Sequence, residues 1–220
     1  MPNISVPFKV EDVQRSILHL QHIAKQLRSK RSGALALNQP KLQFQVNLND
    51  RRPISFSTYS QADSHRLVEE FMLLANERVA KKLLATEKIF EKTILRRHPS
   101  PNPTVLQAVT KLLNTYGITL SGTSSREISH TIQSIDDESK KRLLIHMLAK
   151  SMQLATYCCA SCVADGDFSH FALNIDVYTH FTSPIRRYPD VLVHRLLGAT
   201  LGPFSHIESF DSNFVLRSFF

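Results

Sequence analysis

Cysteine is scarce in this chain, and its three residues, Cys158, Cys159 and Cys162, fall within five positions of one another. Such clustering cannot supply a disulfide framework. Although Cys159 and Cys162 form a CxxC, no second pair exists and only the distant His170 could add a ligand, which argues against zinc. These residues are expected to be small core side chains in a reducing compartment. Long apolar runs are also missing: nothing approaches the roughly 20 residues that a membrane span requires. The first residues, MPNISVPFKVEDVQRS, have neither the basic start nor the apolar centre of a secretion signal. The expected location is therefore the cytoplasm, with the nucleus as a further option. No repeat, low-complexity tract, glycine-rich phosphate loop or Ser-His-Asp order is present.

What the chain has is positive charge and enough apolar residues for a core. Lys and Arg number 27 against 19 Asp and Glu, a net +8, and 42% of the 220 residues are hydrophobic. One domain is the expectation, and the charge suits a polyanionic partner.

Periodicity predicts a helix of about 16 residues from near Glu11, with Val13, Ile17, Leu20, Ala24 and Leu27 on one stripe. Strict alternation of Leu42, Phe44, Val46 and Leu48 with polar residues, followed by a turn and Ile54, Phe56 and Thr58, predicts a hairpin over 41–59 with one buried face. A second helix should run from Ala62 to about Thr86 with Val68, Phe71, Ala75, Val79 and Leu83 inward. On it Glu69, Glu70 and Asn76 could orient a sugar hydroxyl or a metal-bound water, although spacing alone favours a solvated acidic face. The proline-rich stretch 95–103 reads as an extended linker. Three more helices should follow: about 104–115, ended by Gly117; a short one capped by Ser124 and Glu127 and running through Ile132; and one from Asp136 to near Ala160. Asp165 and Asp167 flank a glycine, a pattern commoner in turns than in Mg²⁺ sites. The fold class expected is α+β, mostly helical, with the hairpin and one further strand near Phe168.

The segment Asp176–Ala199 carries the chemistry. Ser183-Pro184 is written as a helix start, since Ser183 can cap free N–H groups where Pro184 needs none. Arg186 and Arg187 then occupy a first turn that ordinarily prefers acids, and they deepen its positive field. Free N–H groups, the hydroxyls of Thr182 and Ser183 and a forked guanidinium make a phosphate site. The alternative is that the arginines pair with Asp190, three and four residues on; local chemistry leaves both open. Ile185, Tyr188, Leu192 and Leu196 should face the core, and Pro189 should kink the helix.

Phe181-Thr182-Ser183-Pro184-Ile185-Arg186-Arg187-Tyr188-Pro189-Asp190, with His194-Arg195 behind it, resembles the signature of the RNase II/RNB exoribonucleases. His170-Phe171-Ala172-Leu173, the run Leu67–Asn76 and Leu95-Arg96-Arg97-His98-Pro99 extend the likeness over residues 10–202, closest to the Dis3-like eukaryotic branch. The resemblance implies Mg²⁺-dependent hydrolysis of single-stranded RNA from its 3′ end. It implies that Arg186 holds the scissile or a neighbouring phosphate and that Tyr178, His180, Thr182 and Ser183 lie near the 3′ nucleotides. Glu69 or Glu70 would approach the terminal sugar, and Arg187 and Asn76 complete the RNA-contacting set. The family's cluster of metal-binding aspartates, its OB domains and its S1 domain have no counterpart here, so no metal ligand is assigned. Residues 203–220, with five phenylalanines, match no continuation of the pattern. The expectation is a partial RNB domain over 1–202 followed by an atypical tail, inactive alone. The alternative is a non-catalytic paralogue that binds RNA or a protein partner; exosome association is left open. A third possibility is half a domain with an exposed apolar interface.

Overall fold

A computed structural model describes residues 7, 9–35, 42–58, 61–163 and 167–202; the last residues of the sequence, 203–220, and most of the first eight lie outside that set, as do Asp165 and Gly166. Among the described residues, six α-helices and two two-stranded antiparallel sheets give the α+β, mostly helical class expected. No helix is long and apolar enough to cross a membrane among the described residues.

Helix α1 spans Val10–Lys30, longer than its periodicity predicts. Its stripe is only partly covered by α2: Ile17 is 52% exposed and Leu20 42%, while Ala24 is buried. The hairpin β1 (Leu42–Val46) and β2 (Pro53–Thr58) pairs in the expected antiparallel sense, with Phe44 opposite Phe56. Its apolar face is not buried, however, since Phe44 and Phe56 are 59% and 72% exposed. Alternation fixes which side chains share a face, and says nothing of whether another element covers it.

Helix α2 (Asp63–Leu84) buries Glu70, Leu73, Asn76, Ala80 and Leu83. Its inward face is therefore rotated from the predicted one: Val68 is exposed while Glu70 and Asn76, expected on a solvated face, are inside. The supposed linker begins as β3 (Ile94–Arg97), paired with β4 (Thr156–Cys159) from Ile94 opposite Cys159 to Arg97 opposite Thr156. The cysteines thus sit on a strand and a following 3₁₀ turn, because the helix before them stops at Ser151. Burial pushes the Cys159 thiol up to about 11, as an inert core thiol requires, while Cys162 is exposed. Near Phe168 no strand forms among the described residues; His170 makes isolated bridges to His98 and Ile175.

Three helices with legible ends follow. Asn102 caps α3 (Pro103–Thr115), Ser124 and Glu127 form the expected capping box of α4 (Ser125–Ser134), and Asp137 caps α5 (Glu138–Ser151). Leu106, Val109 and Leu113 of α3 meet Ile128 and Ile132 of α4 and Leu144 and Leu148 of α5 in one core. A second core joins Leu83 of α2, Ile94 of β3, Cys159 of β4 and Leu192, Val193 and Leu196 of α6 (Tyr188–Thr200). That packing lays α2 alongside the loop that leads into α6.

Candidate RNA-binding groove

The loop 178–187 is held by bonds from three directions. Arg96 N–H donates to the Tyr178 carbonyl at 2.8 Å and the Thr179 hydroxyl to that of Ile94 at 2.7 Å, which fastens its start to β3. From α2, the Asn76 amide donates to the Tyr178 hydroxyl at 2.9 Å, and its oxygen accepts from the N–H groups of Phe181 and Thr182 at 3.0 and 3.2 Å. Asn76 is 3% exposed, so its chemistry is directed at the loop and not at a ligand. Asp190, wholly buried, accepts the Ser183 N–H and the Arg187 guanidinium on the same oxygen, each at 2.7 Å.

The helix does not start at Pro184. Residues 184–186 form a turn whose N–H groups at Arg186 and Arg187 reach the Ser183 carbonyl at 3.2 Å, and α6 begins at Tyr188. Pro189 lies in the first turn of α6, where a missing N–H is harmless, so it kinks nothing. Ile185, predicted to be core, is 97% exposed because it rides on that turn. Of the two arginines Arg187 pairs with Asp190, whereas Arg186 is exposed and has no hydrogen-bond or ion-pair partner among the described residues.

Between this turn and α2 runs an open groove of about 460 Å³. Arg186, Arg187, Thr182, Ser183 and Tyr178 line one side, and His65, Val68, Glu69, Met72 and Asn76 the other. Two of the sequence candidates lie elsewhere. Glu70 points away from the groove, to the side of α2 where Arg31 binds it at 2.6 Å in a part-buried ion pair. His180 sits behind the groove, hydrogen-bonded to the Tyr157 hydroxyl at 2.6 Å, and burial with Arg187 nearby lowers its pKa to about 4. Glu69 remains on the groove, exposed and accepting from Gln61 at 2.7 Å.

Sequence reasoning passed over a stack behind the loop. His98 and His170 stack at 5.0 Å, His170 meets Tyr178 edge-on at 5.3 Å, and Arg96 lies 4.4 Å over the Tyr157 ring. Burial, with His98 second, lowers the His170 pKa to about 4. The only local signal was the presence of His98 and His170 in motifs far apart in sequence.

A magnesium ion prefers octahedral oxygen donors, usually with one or two carboxylates and several waters. Among the described residues lining the groove the one exposed carboxylate is that of Glu69, which already accepts from Gln61, and Asp190 is buried beneath Arg187. Among the described residues no three His, Cys, Asp or Glu side chains are grouped to hold a metal ion. The described donors do not by themselves make an octahedral site for such an ion.

An α+β domain with an arginine at the mouth of an apolar-walled groove is the class that fold and site define. Residues 4–203 match the RNB domain, and the chain belongs to that family. It is 41% identical over 212 residues to the DIS3-like exonuclease 2 of Caenorhabditis elegans, covering 92% of this chain and 24% of that protein. Among solved structures it resembles Mycoplasma genitalium RNase R in complex with ribose methylated single-stranded RNA, with TM-score 0.77 and 24% identity over 98% of this chain and 33% of that one. It also resembles yeast Ssd1, a pseudonuclease, with TM-score 0.70 and 26% identity over 91% of this chain and 25% of that one. The chain spans about a quarter of the length of the curated relatives it matches.

Proposed function

We propose that this chain is the RNA-gripping part of a 3′–5′ exoribonuclease domain. The observation that carries the reading is Arg186: an exposed guanidinium without a protein partner among the described residues, at the mouth of a groove. A forked cation there can take two oxygens of one phosphate. Val68 and Met72 supply the apolar wall on which bases can rest, and Glu69 can accept a 2′-hydroxyl, the group that separates RNA from DNA. The names of the exonuclease relatives support the substrate class. Phosphodiester hydrolysis additionally needs carboxylates that hold a metal where it activates water, and these residues do not provide them. A second reading, a non-catalytic RNA-binding paralogue, is favoured by that donor set and by the likeness to a pseudonuclease.

Binding of a fluorescent single-stranded RNA, followed by anisotropy, tests the groove. Arg186→Ala should weaken it about tenfold or more, the effect of one charge-assisted contact, while leaving the melting temperature unchanged. Competition by circular RNA separates the two readings: an exonuclease groove prefers a free 3′ end, and a plain binding module takes both equally. With Mg²⁺ added, 3′ trimming by the chain alone is expected to be undetectable; trimming abolished by Arg186→Ala would reverse the assignment.

A further inference from the structure

Resting on the reading of Arg186 as the phosphate grip, we infer that Asp190 is the positioning residue that selects and aims it. Two neighbouring arginines share one turn, and only one of them is left exposed. The turn itself is weakly held, by two backbone bonds of 3.2 Å into a single carbonyl at Ser183. What closes it is Asp190. One oxygen of this fully buried carboxylate receives both the Ser183 N–H, at the start of the turn, and the Arg187 guanidinium, at its end. Arg186 lies between those two anchors, its backbone N–H on the Ser183 carbonyl and its guanidinium bonded to neither. Its direction is set by the two residues that flank it.

The same carboxylate does a second job. A buried anion this close to a phosphate site would repel the strand, and Arg187 neutralises it. Arg187 is therefore engaged inward and Arg186 is free. Asp190 sits at the third residue of α6, where the helix dipole favours negative charge. Its other oxygen, like Arg187 Nε, is buried without a hydrogen-bond partner among the described residues. The carboxylate is therefore held by those two bonds on one oxygen, and loss of its charge should weaken both anchors together.

A double-mutant cycle on single-stranded RNA binding tests this, with Arg186→Ala, Asp190→Asn and the two combined. Asp190→Asn is expected to lose about as much affinity as Arg186→Ala, about tenfold, and the combined chain should bind within about twofold of Arg186→Ala alone. The salt dependence of log K should fall by about one in all three, because the same phosphate contact is missing. Asp190→Glu, which keeps the charge, should recover a large part of the loss. Additive losses, an unaffected Asp190→Asn, or an Asp190→Glu chain that folds yet binds like Asp190→Asn would each overturn the inference. So would failure of both Asp190 variants to fold, which would make the residue one of folding only. If Arg186→Ala itself binds normally, the groove assignment fails instead, and the two failures are distinct.

Discussion

Asn76 satisfies two backbone N–H groups and one hydroxyl from a single buried side chain. Asn76→Ala leaves the amides of Phe181 and Thr182 without an acceptor and should lower stability by about 2–4 kcal/mol, read from urea unfolding. Asn76→Asp keeps the acceptor but buries a new charge and drops the donor to the Tyr178 hydroxyl, so it should not recover the loss. The histidines behind the loop set a pH dependence. His170 and His180 hold pKa values near 4 in the fold, against 6.5 when exposed, each through burial first. Between those values the unfolded chain binds more protons, so stability rises with pH across that window and is lost as pH falls from about 6.5 toward 4. Urea midpoints at pH 7 and pH 5 check this, and His170→Gln should flatten the difference. Neither Asn76 nor His170 declares its role by spacing, because the groups they satisfy come from residues about a hundred positions away or from motifs joined only in the fold.

At the scale of elements, the starts of α3, α4 and α5 followed local chemistry, whereas α6 began at Tyr188 and not at Pro184, and α5 stopped at Ser151, short of Ala160. Asn102 accepts from Thr104 and Val105 N–H at 3.1 and 3.2 Å, and Asn102→Ala should lower stability by about 1 kcal/mol in thermal or urea unfolding. Which faces are buried did not follow in the same way. The hairpin and α1 present apolar residues to solvent, since burial needs a partner element that periodicity cannot name. Phe44→Lys and Phe56→Lys should therefore leave the melting temperature nearly unchanged while reducing binding of the dye ANS; a loss above about 2 kcal/mol would show that this face is covered in solution. The pairing of β3 with β4 was likewise invisible, as 94–97 and 156–159 are separated by three helices, α3 to α5.

For the whole molecule, one core gathers α3, α4 and α5 and another sets α2 against β3, β4 and α6. The second core brings Glu69 and Asn76 beside Thr182 and Arg186 in one groove. The net charge of +8 adds a sequence-independent attraction. RNA affinity should fall steeply as salt is raised from 50 to 200 mM, in titrations with uridine-rich and adenine-rich strands alike. Apolar contacts on Val68 and Met72 would persist at high salt and give a residual affinity.

The sequence by itself determined the family, the capping box at Ser124 and Glu127, the hairpin and the arginine pair, because each is written in residues a few positions apart or in motifs with fixed order. Tertiary structure alone decided which arginine is free, that Glu70 belongs to Arg31 while Glu69 stays on the groove, and that α6 starts at Tyr188. Those outcomes turn on a buried carboxylate and a buried amide meeting backbone groups from other elements. Burial is a property of the packed chain and cannot be computed from spacing along it.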